Sequence, residues 1–131
     1  MHRTPINPSS WSLRYGFNQG ELVLGASQTL ICSGQCAQDA DGRPQHEGDM
    51  KAQITLAVDN LEALLKAAGM TLSNLVHIRL YTTDVDDCLK NFSALSGRLA
   101  AADAKPAQTM LGVARLFLPS LLFEIEATAV A

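Results

Sequence analysis

The sequence predicts an α+β fold from three observations. Val76, Ile78 and Leu80 alternate with His77, Arg79 and Tyr81, the period of two of a half-buried strand. On either side of that stretch, apolar residues return every three or four positions, first over Ile54 to Ala68 and then over Val85 to Leu99. That is the pattern of amphipathic helices. Towards both ends lie short apolar runs bounded by turn residues, which read as further strands.

Each element follows in order. Residues 1–11 hold two prolines, two serines and an asparagine, and read as an N-terminal tail or lead-in loop. A strand over Leu13–Gln19, a second at Leu22–Leu24 and a third at Thr29–Cys32 suggest a β meander. Asp39–Gly48 is polar and carries Gly42, Pro44 and Gly48, hence a loop. Asp49 then suits the N-cap of the first helix, with Ile54, Val58, Leu61, Leu64, Leu65 and Ala68 on its face and Gly69 just past its end. After the central strand, Thr83 or Asp84 can cap a second helix whose face is Val85, Cys88 or Leu89, Phe92, Leu95 and Leu99. Pro106 bars its continuation. Two closing strands are expected at Gln108–Leu116 and Leu122–Val130, with Pro119 in the link. The result is one domain over 1–131: a six-stranded mixed sheet with two helices packed on one face. Two helices leave the opposite face bare unless something packs on it.

Composition narrows the function classes. Ten Lys and Arg against 13 Asp and Glu give a net charge of −3. A protein that binds nucleic acid by releasing counterions needs a concentrated basic face, and 5% aromatics supply few stacking platforms. No nucleic-acid partner is expected. Charged residues are only 18%, low for a small soluble domain. Copies of the chain covering part of the surface would account for that. Cys32, Cys36 and Cys88 make an odd count, and no apolar segment follows Met1, so reduced thiols in a cytoplasm are expected. No apolar run approaches the roughly 20 residues of a membrane helix, and no membrane partner is expected.

Few residues point to chemistry on their own. His2, His46 and His77 are widely spaced without metal partners, so no metal site is expected. Cys32 and Cys36 read as small apolar residues rather than a redox pair, and Cys88 as packing. Glu124 and Glu126 share one face of the last strand, opposite Phe123, Ile125, Ala127 and Ala129. That face is either solvated or lines a cleft between subunits, where a carboxylate could orient water. Gly34 in Ser33-Gly34-Gln35 ends a strand where backbone can approach a ligand closely. Neither a phosphate loop nor a G-x-S-x-G elbow occurs, and no cofactor is implied.

Several segments together resemble the Rid family, the reactive-intermediate deaminases or YjgF-like proteins, also called endoribonuclease L-PSP-like. They are Ile31-Cys32-Ser33-Gly34-Gln35, Ala52-Gln53, Leu61-Glu62-Ala63-Leu64 with Ala67-Ala68-Gly69, Leu80-Tyr81-Thr82-Thr83-Asp84, Asn91, Pro106-Ala107, Val113-Ala114-Arg115-Leu116 and Glu124–Val130. The similarity runs from about Phe17 to Val130. It implies a chorismate-mutase-like fold and a homotrimer whose sheets form a central barrel, with small-molecule clefts between subunits.

The deaminating members hydrolyse enamines and imines of amino acids, and an arginine directly after Pro-Ala binds the substrate carboxylate. Here that position is Gln108, which cannot form a charged bidentate pair. The usual cysteine two residues on is Met110, and the N-terminal tyrosine is Phe17. Gly34 and Glu124 are kept, and Asn91 stands where the family often has asparagine. Arg115 belongs to the separate Val-Ala-Arg-Leu stretch. The resemblance thus implies substrate contacts at Gln108, Met110, Gly34, Phe17 and Asn91, with Glu124 activating water. Three functions follow: an enamine or imine hydrolase of altered preference, a non-catalytic module that binds or senses a metabolite, and a ribonuclease, the last disfavoured by the acidic balance.

Overall fold

In a computed structural model describing residues 1–131, the strands divide into two sheets. Strands β1 (His2–Ile6) and β2 (Gly20–Leu24) form an antiparallel ribbon. The main sheet has the order β3 (Thr29–Cys36), β6 (Phe123–Val130), β4 (Leu75–Thr82), β5 (Ala107–Gly112). β6 is antiparallel to both neighbours, whereas β4 and β5 are parallel. The crossover between that parallel pair is made by α2 (Val85–Lys90) and α3 (Ser93–Ala101). Helix α1 (Met50–Ala67) connects β3 to β4. The expected single six-stranded sheet with two helices is therefore a four-stranded sheet, a separate ribbon and three helices.

The N-terminal reading needs correction. The tail contains β1, and the predicted strand over Leu13–Gln19 is a single 3-10 turn at Leu13–Tyr15 closed by Gly16 at φ +81°. Leu13, Tyr15 and Phe17 alternate like a strand, but Trp11 meets the edges of Tyr15 and Phe17 instead. The buried Asn18 fixes the chain that follows: its amide accepts from Asn7 at 2.9 Å and donates to Glu21 at 3.0 Å. Pro5 is tolerated because a two-stranded ribbon has a free edge on each strand. Arg3 ties the ribbon to the main body, donating to the Ser73 and Leu75 carbonyls at 2.7 and 2.8 Å.

Helix α1 follows its sequence pattern. Asp49 accepts from the Ala52 amide at 3.0 Å. At the other end Gly69, at φ +72°, lets Met70 N–H reach the Leu65 carbonyl at 2.8 Å. Ile54, Val58, Leu61 and Leu65 are wholly buried against β3 and β6. Arg98 on α3 clamps the outer side of α1, 2.7 Å from both Asp59 and Glu62.

The second helix breaks where one continuous helix is expected. Asn91 turns its own amide back onto the Asp87 carbonyl at 2.9 Å and adopts φ −109°, ψ 11°. Such a local bond competes with the helix ladder. α3 therefore restarts at Ser93, and Leu95 and Leu99 still reach the core. The penultimate strand is also shorter than predicted, ending at Gly112. Arg115 binds the Leu116 and Phe117 carbonyls in the loop that follows.

Gln53, wholly buried on α1, joins three segments. It donates to the carbonyls of His46 (3.2 Å) and Ser120 (2.9 Å) and accepts from Leu122 N–H (2.8 Å). Replacing it with leucine keeps the volume but strands all three backbone groups. Gln53→Leu is expected to cost roughly 2–4 kcal/mol, since each buried unpaired group costs about 1–3 kcal/mol. A fall in the urea midpoint, with no change in slope, checks this.

Candidate functional site

A cleft of about 680 Å³ opens where β5, α3 and the turn at residues 13–16 meet. Gln108 and Met110 pair in register with Ile78 and Leu80, so all four point to the helix side of the sheet. Leu80 contributes to the floor, Phe92 and Ser96 come from the α2–α3 crossover, and Phe17 comes from the turn. The walls are largely apolar, with a few polar groups set among them. That is the composition of a small-molecule site. Gln108 Oε1 is buried and receives no hydrogen bond from the protein.

A second cluster lies on the outer face of the sheet. Register shifts between Cys32 and Gln35 against β6, leaving Ser33 and Gly34 as a bulge. Glu124 folds over that bulge, so a Cβ on Gly34 would fall within 2.6 Å of the Glu124 Cδ. A side chain at position 34 would therefore displace the Glu124 carboxylate from its place over the bulge. Cys36 pairs with Glu124 across the strands. Burial first, and the Glu124 charge second, push its thiol up from 9.0 to about 12. Glu126 is engaged elsewhere: Tyr81 donates its hydroxyl to it, and Arg79 lies 3.5 Å away. That bond raises the Tyr81 phenol. Of the two outward glutamates, Glu124 has neither a tyrosine nor an arginine partner; the Cys36 thiol is the group that hydrogen-bonds to it.

The structure accordingly sorts the residues singled out from the sequence into two groups. Phe17, Gln108 and Met110 converge in the cleft. Gly34 and Glu124 converge on the opposite face of the sheet. Within one chain, no cleft runs between Gln108 and Glu124. Asn91 belongs to neither group, because its amide is spent on Asp87, and the adjacent Phe92 faces the cleft instead. The apolar spacing assigns Phe92 to the core face of a continuous helix, which conceals its place in the cleft. It does not single out Arg14 or Ser96 either.

All three cysteines are unpaired and buried. No three His, Cys, Asp or Glu side chains come together as a metal set, and no helix is long and apolar enough to cross a membrane.

A four-stranded sheet with its helices on one face, a helix-side apolar cleft and a carboxylate on the opposite face define an α+β protein with a candidate small-molecule cleft. Its lineage follows from comparison. Residues 15–131 match the family model for endoribonuclease L-PSP. The chain is 29% identical over 129 residues to the RutC family protein YjgH of Escherichia coli K12, spanning 98% of this chain and 95% of that one. It superposes on YyfB from Yersinia pestis, a Rid-family protein of unknown function, with TM-score 0.85 and 34% identity over 100% of both chains. It superposes on E. coli TdcF with bound serine with TM-score 0.71 and 26% identity, covering 88% of this chain and 87% of that one. The chain belongs to the endoribonuclease L-PSP family, the Rid/YjgF proteins.

Two outcomes test this geometry. Gly34→Ala is expected to push the Glu124 side chain from its rotamer, at a cost of about 0.5–1.5 kcal/mol. Most of that cost should vanish in a Glu124→Ala background, as a double-mutant cycle of denaturation midpoints would measure. The Cys36 thiol is neutral in the fold well above the pH at which an unfolded thiol ionises. Stability from this group is therefore complete below about pH 9 and lost as pH rises towards about 12. Cys36→Ala should flatten the alkaline fall in stability across that window.

Proposed function

We propose that the chain assembles as a homotrimer through its outer sheet face, and that each helix-side cleft is completed by Glu124 of a neighbouring copy. The assembled site hydrolyses a small enamine- or imine-type metabolite, with a preference altered by glutamine at position 108. The supporting observation is the convergence of Phe17, Gln108 and Met110 on one cleft while Glu124 stands on the exposed face. That face also carries Ile31, which is 79% exposed, as expected of a surface made to be covered.

In this reading Glu124 takes a proton from water as the oxygen adds to the imine carbon. The protonated Glu124 gives that proton to the imine nitrogen, forming a carbinolamine; the carboxylate then moves the hydroxyl proton to nitrogen as the C–N bond breaks, releasing ammonia and leaving the carbonyl. Gln108 orients the substrate by hydrogen bonding. Free, buried thiols suit a reducing cytoplasm.

A second reading, a module that binds a metabolite unchanged, is favoured by one observation. The main cleft of a single chain is lined by no carboxylate, histidine or cysteine that could act as acid or base. TdcF, with its bound serine, is a relative seen holding a small ligand. Ribonuclease chemistry is disfavoured by the charge of −3 and the scarcity of aromatics.

Ammonia release from enamine and imine substrates, with and without a carboxylate, separates these readings. Turnover should fall at least about 100-fold in a folded, trimeric Glu124→Gln variant. A folded trimer that turns over neither substrate, but returns a stabilising ligand unmodified, establishes the binding module instead.

A further inference from the structure

The main cleft contains one charged side chain, which lies outside every segment that carries the family resemblance, and a smaller pocket that adjoins it at Gln108 adds Asp103 and Lys105. Arg14 lines the cleft from the 3-10 turn. Its guanidinium makes no hydrogen bond or ion pair within the chain. By contrast, Arg3 and Arg115 bind backbone carbonyls, Arg79 approaches Glu126, and Arg98 clamps Asp59 and Glu62; Arg43, the other arginine with a free guanidinium, lies on an exposed loop away from the cleft. The position of Arg14 is nonetheless supported. It stacks over Tyr15 with 5.0 Å to the ring centroid, Tyr15 meets Trp11 edge-on, and Trp11 meets Phe17 in the cleft wall. A stacked guanidinium keeps its fork free for a planar anion.

At the same cleft, Gln108 presents a buried oxygen that no protein donor satisfies. Buried acceptors are almost always paired, so this one calls for a donor from outside the chain, and a ligand N–H would supply it. Between these two points the surface is apolar and aromatic, so they set the polarity of whatever binds.

We propose that Arg14 is the anion anchor of this cleft and that, with Gln108, it selects a small organic carboxylate that also bears an N–H group. The carboxylate pairs with the Arg14 guanidinium on the turn, and the N–H donates to Gln108 Oε1 on β5. This deepens the small-molecule reading above and rests on it. It moves the positive charge from the sheet strand to the turn that borders the cleft.

The test measures binding of three N-acylglycines (formylglycine, acetylglycine and benzoylglycine) by calorimetry. Each is compared with its methyl ester, which lacks the charge, and its N-methyl analogue, which lacks the donor. The acid should bind at least about tenfold tighter than its ester. That ratio should collapse towards one in Arg14→Gln and recover in part in Arg14→Lys. The preference for N–H over N-methyl should persist in Arg14→Gln and disappear in Gln108→Leu. Circular dichroism and oligomeric state verify folding of each variant, and Arg14→Lys keeps the result interpretable if the neutral variant fails to fold.

An acid-to-ester ratio unchanged in folded Arg14→Gln overturns the proposal, as does failure of all three acids to bind the wild-type protein. Either result leaves hydrolysis to be judged by ammonia release. Conversely, Arg14-dependent binding without turnover sustains this inference and removes only the enzymatic reading.

Discussion

Strand β6 places one set of side chains in the core and the other on the bare face, and every other part of the molecule answers to that alternation. Phe123, Ile125, Ala127 and Ala129 are buried beneath the helices, while Glu124, Glu126 and Thr128 stand on the opposite side. Because β6 lies between β3 and β4, its register decides what both neighbours present. A slip of one residue would bring two glutamates into the core in place of phenylalanine and isoleucine, at a cost no helix face here could offset. The same register puts Tyr81 and Arg79 beside Glu126, and it brings Glu124 over the β3 bulge. The close approach of a carboxylate to the glycine of that bulge is therefore a consequence of the strand opposite it.

The alternation also separates the two halves of the site. Gln108 and Met110 share the face of Leu80, and Glu124 shares the face of Tyr81. A sheet has two sides, and a chain cannot bring both groups to one ligand without folding that sheet over. The proposed assembly of copies would resolve this. It would let an outward carboxylate from one chain meet the cleft of the next, and it would cover apolar residues such as Ile31 and Leu111 that one chain leaves exposed. The low charge content belongs to the same account, since a face meant for another protein surface needs little charge.

How much was legible in the sequence depended on the range of the interactions. Helix α1 was readable because its stripe, its aspartate cap and its closing glycine are local and agree with one another. β4 and β6 were readable because each has one buried and one exposed face. The break at Asn91 was not. It depends on a side chain preferring the Asp87 carbonyl to solvent, while the apolar spacing continues undisturbed across it. β1 was hidden because its stability comes from Arg3 and from pairing with β2, neither of which leaves a periodic trace. Of the site, Phe17, Gln108 and Met110 came from resemblance rather than from pattern, and their convergence required the fold.

The misread segment at residues 13–19 shows why the cleft's cation escaped notice. In an extended strand, Arg14 and Phe17 are three residues apart and point to opposite faces. One could then line the cleft only if the other did not. The 3-10 turn, followed by Gly16 in the left-handed region, reverses the chain between them and brings both to the same wall. A residue with a β-carbon adopts that φ only at a cost, so Gly16 is what allows arginine and phenylalanine to act together. An anchor on a turn is invisible to motifs written along strands. Glutamine at position 108 therefore need not mean a cleft without positive charge, because the fold provides another place from which to supply it.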